Sequence, residues 1–101
     1  MGAYTNAGQQ RIIKAMLVLF GDVVNGLPPG ALVKALGASA AAITRDMANL
    51  IEAGIAERIE ETGHYRLTPR LPQQAIKVFT AIDASERRVQ EAKQRFTRKP
   101  D

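Results

Sequence analysis

The 101-residue chain carries 14 Lys or Arg against 10 Asp or Glu, a formal net charge of +4, and 46% of its residues are hydrophobic. That length allows one small core of helices and leaves no room for a second, ligand-binding domain. Because the sequence contains no cysteine, disulfides, thiol catalysis and thiolate zinc sites are excluded. No apolar run approaches the roughly 20 residues of a membrane span and no signal peptide is recognisable, so we expect a cytoplasmic protein.

The first predicted element is a helix that ends near Phe20 or Gly21. Thr5 or Asn6 can cap its start. Two apolar rows predict a wide covered face: Ile13, Leu17, Phe20 and Val24 in one, and Ile12, Met16 and Leu19 in the other. Arg11 and Lys14 are expected to face water, either as ordinary solvated surface or near a phosphate.

Two further helices are predicted on either side of a glycine-containing turn. The segment Leu27-Pro28-Pro29-Gly30 opens the second helix, where a proline lacks only an N–H that would have no partner. Its inner face consists of Leu32, Val33 and Leu36. Gly37 ends this short helix and begins a tight turn. Two helices joined in this way are typical of a helix-turn-helix.

The third helix is predicted to run from about Ser39 to Ala53. Ser39 can cap its free N–H groups, and Gly54 can take the left-handed conformation that ends it. Its apolar face consists of Ile43, Met47 and Leu50. The opposite face is small and polar, so it can approach base edges in a DNA groove about 12 Å wide. That face carries the candidate DNA-binding residues Ser39, Ala40, Ala41, Thr44, Arg45 and Asn49.

A β-hairpin is predicted over residues 55–67. Ile55 and Ile59 alternate with polar neighbours as in a half-buried strand, and residues 60–63 form the tip. A hairpin after a helix-turn-helix is the order of a winged helix, in which the hairpin is the wing. His64 and Arg66 on this wing are further candidate DNA contacts, whereas Tyr65 is expected in the core. His64 is the single histidine, so metal ligation is not expected.

Residues from about Gly8 to Leu71 resemble the N-terminal DNA-binding domain of the IclR family of bacterial transcription regulators, and more loosely MarR-like winged helices. The resemblance rests on the first helix ending near Phe20, Leu27-Pro28, Leu32-Val33-Lys34-Ala35-Leu36-Gly37, Ile43-Thr44-Arg45, Leu50, Ala53-Gly54-Ile55 and Gly63-His64-Tyr65-Arg66-Leu67. It implies a dimeric, sequence-selective protein that places residues 39–53 in the major groove of double-stranded DNA. It implies no small-molecule effector, because the family's C-terminal effector domain has no counterpart here.

The recognition surface predicts modest sequence selectivity. Arg45 can bond a guanine edge with two hydrogen bonds, and Asn49 can bond an adenine. Ala40–Ala42 offer only apolar contact with a thymine methyl. The alternative for Arg45 is a salt bridge to a neighbouring acid. Glu60 and Glu61 at the wing tip carry charge that phosphates would repel.

The last third of the chain is predicted to be one long helix. Thr68–Pro72 is interpreted as a linker with Pro72 at the helix start, which divides the chain into a winged helix-turn-helix domain (1–70) and a C-terminal helix (71–101). One side of that helix carries Ala75, Ile76, Phe79, Ile82, Val89 and Phe96. Such a side can pair with its twin in a homodimer, or else pack onto the first helix of its own chain.

The basic excess lies in this C-terminal element. Residues 1–70 carry seven Lys or Arg against six Asp or Glu, whereas residues 71–101 carry seven against four. Arg95, Arg98 and Lys99 form a basic tail that suits non-specific, salt-sensitive affinity for DNA.

The sequence thus predicts a mainly α protein with a small β-hairpin (α+β), a winged helix-turn-helix with a long C-terminal helix. No Gly-rich phosphate loop, HExxH motif or nucleophile elbow is recognisable, so we expect neither an enzyme nor a cofactor. The expected function is sequence-selective DNA binding as a small bacterial or bacteriophage transcription regulator. The alternative is a winged-helix protein-interaction module, an adaptor or antagonist of a host protein, which the near-neutral domain and acidic wing tip favour.

Overall fold

The computed structural model describes residues 3–98. In chain order they form α1 (Ala7–Val18), a 3-10 turn (Leu19–Gly21), α2 (Pro29–Leu36), α3 (Ala40–Glu52), β1 (Ala56–Arg58), β2 (Tyr65–Leu67) and α4 (Arg70–Thr97). The predicted α+β fold class, a winged helix-turn-helix followed by a long helix, is confirmed. The chain divides into two compact units, Met1–Arg70 and Leu71–Asp101.

In the first unit, α1 covers only part of its predicted apolar face. Asn6 is the cap, because its side-chain oxygen accepts a hydrogen bond from the backbone N–H of Gln9 at 3.0 Å. Ala15 and Leu19 are fully buried, whereas Ile13 and Leu17 are 49% and 67% exposed. The covered face is therefore centred on the small side chain of Ala15, where α2 and α3 pack against α1. The prediction that both apolar rows are covered was wrong for the row of Leu17.

Helices α2 and α3 supply most of the core. The fully buried large side chains of the described residues are Leu19, Leu32, Ile43 and Met47. Gly37 follows α2 in the left-handed conformation with φ 61°, which only glycine adopts without strain. The Ser39 hydroxyl accepts a hydrogen bond from the N–H of Ala42 at 3.1 Å, which confirms the predicted cap of α3.

The wing is a two-stranded antiparallel hairpin with Ala56 opposite Leu67 and Arg58 opposite Tyr65. Ala56 and Leu67 are its buried side chains. The buried position of the first strand is therefore Ala56, one residue after Ile55, which the sequence pattern favours. The predicted core residue Tyr65 is half-buried. The sequence did not predict that Leu27 extends this hairpin as an isolated antiparallel bridge to Tyr65. Their two backbone N–H···O distances are 2.8 and 2.9 Å.

The second unit is formed by α4. This helix begins at Arg70, so three residues of the predicted linker Thr68–Pro72 are helical. Pro72 lies in the first turn, where backbone N–H groups have no helical partner, and it is tolerated for that reason. The 28 residues of α4 bury no side chain. Lys99 of the predicted basic tail lies outside the described residues. No helix of residues 3–98 combines the length and apolarity needed to cross a membrane.

Candidate nucleic-acid interface

The outer face of α3 gathers six of the eight predicted DNA contacts. Exposed residues there are Ser39, Ala40, Ala41, Thr44, Arg45 and Asn49. The predicted inner residues Ile43, Met47 and Leu50 are buried, with exposed fractions of 4% or less. Among these six residues, all side chains are small apart from those of Arg45 and Asn49. A face of this kind lets the helix backbone come close to a flat or grooved partner.

Two polar side chains on this face are bonded to their own helix. The Thr44 hydroxyl donates to the carbonyl oxygen of Ala40 at 3.0 Å. The Asn49 side-chain nitrogen donates to the carbonyl oxygen of Arg45 at 2.9 Å. Each side-chain oxygen can still accept a hydrogen bond. Asn49 also keeps its second amide N–H, so it retains the donor and the acceptor that a contact with adenine requires.

Arg45 is the available cation of the recognition face. Its side chain is exposed, and its guanidinium has no hydrogen-bond or ion-pair partner among residues 3–98. The salt bridge considered as its alternative is not present in that part of the chain. Its guanidinium therefore keeps all its donors for a ligand, whereas Arg11 and Arg66 in the same unit are engaged.

Arg11 forms an ion pair behind the recognition face. Its Nε and Nη2 donate to the Asp46 carboxylate at 2.6 and 3.0 Å, and Asp46 is only 6% exposed. The hydrogen bond to Asp46 raises the pKa of the Arg11 guanidinium above its ordinary value. The prediction that Arg11 faces water was wrong, because a buried carboxylate on α3 requires a charged partner. This ion pair links α3 to α1.

Sequence reasoning missed Asp46, although its position gave a signal. Asp46 follows Ile43 by three residues and precedes Leu50 by four, so it lies on the apolar face of α3. A carboxylate at such a position predicts a buried cationic partner. All buried side-chain nitrogen and oxygen atoms of the described residues have a hydrogen-bond partner.

The two predicted wing contacts bind the wing to the turn between α1 and α2. Arg66 donates to the Glu57 carboxylate at 3.1 and 2.9 Å and to the carbonyl oxygen of Val24 at 3.0 Å. The Nδ1 atom of His64 lies 3.2 Å from the carbonyl oxygen of Asn25. These contacts give both residues a structural role. Phosphate contact by His64 and Arg66 stays a prediction, with fewer free donors than the sequence suggested.

That turn is itself held by Asp22. The Asp22 carboxylate accepts hydrogen bonds from the backbone N–H groups of Asn25 at 2.8 Å and Val24 at 3.1 Å. Chiefly because of the Asn25 N–H, the pKa of Asp22 lies below its ordinary value. Asp22 thereby fixes the two carbonyl groups that receive Arg66 and His64. The base of the wing is consequently held to this turn.

A groove beside the start of α3 adds cationic surface to the interface. It has a volume of about 810 Å³ and is lined by Thr5, Asn6, Ala7, Gln10, Arg11, Lys14, Leu36, Gly37, Ala38, Ser39 and Ala42. Lys14 is exposed at this groove. The first N–H groups of α3 and the positive end of its helix dipole face the same region. A phosphate flanking a base contacted by α3 would meet favourable charge here.

Other ligand chemistry has less support in the described residues. Within residues 3–98, no three His, Asp or Glu side chains are placed to hold a metal ion. The wing tip carries the exposed acids Glu60 and Glu61.

No protein-family model matches this chain, and no curated protein or solved structure is significantly similar to it.

Proposed function

We propose that this protein binds double-stranded DNA with sequence selectivity, placing α3 in the major groove and the wing beside it. The observation that carries the proposal is the exposed, unpartnered Arg45 on a face of small side chains. Small residues allow close approach to base edges, and an arginine can donate two hydrogen bonds to the O6 and N7 atoms of guanine.

Rigid support of α3 strengthens this proposal. A recognition helix selects a base sequence only when its side chains are held in register with the groove. The Arg11–Asp46 pair holds α3 from behind, and the Ser39 cap fixes its first turn. The contacts of Arg66 with Val24 and Glu57 hold the wing. Lys14, on the groove beside the start of α3, is placed to contact a phosphate and set the docking angle.

We propose the biological role of a small transcription regulator of a bacterium or bacteriophage, in line with the IclR-like resemblance. Such a regulator acts as a homodimer and needs no small-molecule effector or catalytic site. The two winged units of a dimer would contact two half-sites on the same duplex, which adds the modest selectivity of each.

A protein-interaction module is the second candidate, and the wing supports it. Arg66 is neutralised by Glu57, and the tip presents Glu60 and Glu61 to solvent. This acidic wing tip would be repelled by phosphates and would suit a basic protein surface. Under this candidate Arg45 contributes to no sequence-selective DNA affinity.

Selection from a random duplex library, followed by binding measurements on single variants, tests the proposal. Arg45→Ala should weaken binding to the selected sequence by about 1–3 kcal/mol and relax the preference at one base pair. Arg45→Lys, the matched control that keeps the charge, should lose the same preference because lysine cannot form the two-pronged contact. Lys14→Ala, which removes the proposed phosphate contact, should weaken binding to all sequences about equally.

An Arg45→Ala variant with unchanged selectivity would show that Arg45 does not read the base sequence. Failure to select any sequence would show that sequence-selective DNA recognition is not the function. A protein partner would then have to be sought. The thermal unfolding midpoint of each variant must match that of the parent protein for these comparisons to hold.

A further inference from the structure

The apolar side of α4 follows the repeat of a coiled coil. Side chains recur at alternating spacings of four and three residues, in the order Ala75, Phe79, Ile82, Glu86, Val89, Lys93 and Phe96. This is the pattern of the two core positions of a heptad, and the 28 residues of α4 allow four heptads. We call these seven residues the seam.

The seam has no partner in its own unit. Phe79 is 66% exposed, Ile82 47%, Val89 53% and Phe96 80%. An amphipathic helix derives most of its stability from packing of its apolar face, and monomeric proteins rarely expose a long apolar stripe. A shallow groove on α4 is lined by Ala81, Ile82, Ser85, Glu86, Val89 and Gln90. Grooves of this kind receive the side chain of a facing helix in knobs-into-holes packing.

Two charged seam residues determine which way a second copy can lie. In a parallel, in-register pair each core residue faces its own counterpart, so Glu86 would face Glu86 and Lys93 would face Lys93. Like charges at a largely apolar seam are destabilising. A parallel pair would therefore have like-charge repulsion at two of the seven seam positions.

An antiparallel pair removes this conflict in one register. With Phe79 opposite Phe96 of the second copy, Ile82 faces Lys93 and Glu86 faces Val89. Lys93 then lies only four residues, about 6 Å along the axis, from Glu86 of the other helix. Helical side chains lean toward the N-terminus of their own helix, so Lys93 and Glu86 lean toward each other. The two phenylalanine contacts close the ends of the seam.

The neighbouring register is less favourable. A shift of one heptad places Phe79 opposite Val89 and moves Lys93 about 16 Å from Glu86 of the other copy. Both charges would then lie at the seam without an opposite charge. Of these two registers, charge complementarity favours the one with Phe79 opposite Phe96.

We infer that two copies of α4 pair antiparallel, with Phe79 opposite Phe96 and with Lys93 of each copy bonded to Glu86 of the other. This inference rests on the proposed homodimer and specifies its geometry. It places the two Arg70 residues, where the winged units are attached, about 50 Å apart along the pair. In a parallel pair they would lie side by side.

Cysteine cross-linking tests the orientation directly, because the chain has no native cysteine. Ile82→Cys and Lys93→Cys are prepared as separate full-length proteins, mixed, allowed to exchange subunits, and oxidised. The mixture should give a disulfide between position 82 of one chain and position 93 of the other, identified by mass spectrometry. Each variant alone should give none, because its two thiols would be about 16 Å apart.

Self-linked Ile82→Cys, or a mixture without the mixed disulfide in a protein of dimer mass, would overturn the orientation or the register. A monomer mass for the parent protein in solution would instead overturn the homodimer itself. Neither result depends on DNA, so failure of the Arg45 experiment leaves this test intact.

Exchanging the two charges provides a second test, in case the Lys93→Cys substitution itself weakens the pairing of the two helices. Glu86→Lys should weaken dimerisation at least about tenfold, because in each copy it places one positive charge beside Lys93 of the other copy. The double variant Glu86→Lys/Lys93→Glu should restore the dimer, since the cross-chain pairs are only reversed. A double variant that is as weak as Glu86→Lys would contradict the proposed pairing.

Discussion

At the scale of single residues, Asp46 decides how firmly the recognition helix is held. Its carboxylate occupies a position on the inner face of α3 where an apolar side chain would ordinarily lie, and it is 6% exposed. Arg11 compensates it with two hydrogen bonds, while the Arg11 side chain itself remains 27% exposed. The two partners therefore differ in what happens when the other is removed. Without Asp46, the guanidinium of Arg11 can still reach water. Without Arg11, the buried carboxylate of Asp46 cannot.

This difference predicts unequal effects of removing either partner. Arg11→Met should lower the thermal unfolding midpoint by at least about 10 °C, because it leaves a buried charge unpaired. Asp46→Asn should lower it less. The double variant Arg11→Met/Asp46→Leu should recover most of the loss, since an apolar pair of similar volume replaces the ions. Thermal unfolding followed by circular dichroism measures all three. Equal losses from the two single variants would contradict this account.

At the scale of elements, the turn over residues 22–27 links the helix-turn-helix to the wing. Gly26 has a φ of +72°, and a Cβ built on it would lie 2.6 Å from the carbonyl oxygen of Tyr65. The backbone of the turn can thus approach β2 closely only because this residue is glycine. That approach allows the bridge between Leu27 and Tyr65 and brings the Val24 carbonyl within reach of Arg66.

Gly26→Ala should therefore destabilise the first unit by roughly 1–3 kcal/mol, since it combines an unfavourable φ with a backbone clash. Gly30→Ala is the matched control: it lies in α2 with no atom within 4 Å of its added Cβ. That substitution should be neutral or stabilising, because alanine is the better helix former. Urea unfolding of both variants gives the two free energies. A Gly26→Ala protein as stable as its parent would refute the close approach.

The elements themselves could be predicted because their signals are local. The spacing of Ile43, Met47 and Leu50, the Ser39 cap and the Gly54 stop are encoded within one helix length of sequence. The bridge of Leu27 to Tyr65 joins residues far apart in the chain, and no local pattern specifies it. For the same reason Arg45 could be assigned to an exposed face, whereas the partners of Arg11 and Arg66 required the tertiary structure.

At the scale of the whole molecule, core and seam belong to different units. Every buried apolar residue of the described chain, from Ala15 to Leu67, precedes Arg70. The first unit therefore contains its own core and its own recognition face. The second unit contributes the seam and most of the basic excess, with seven Lys or Arg against four Asp or Glu in residues 71–101. Folding and base recognition should thus be separable from dimerisation.

Truncation after Arg70 tests this separation. The shortened protein should still unfold cooperatively, because no core residue is removed, but its mass in solution should be that of a monomer. Its affinity for the selected duplex should fall, and the slope of log K against log salt should drop to about half of the full-length value. Each neutralised phosphate contributes about −0.9 to that slope, and a monomer contacts only one half-site. An unchanged slope would mean that the winged unit alone makes every phosphate contact, and that the C-terminal helix serves a purpose other than joining two DNA-binding units. Loss of cooperative unfolding would mean that the first unit depends on α4 for its fold.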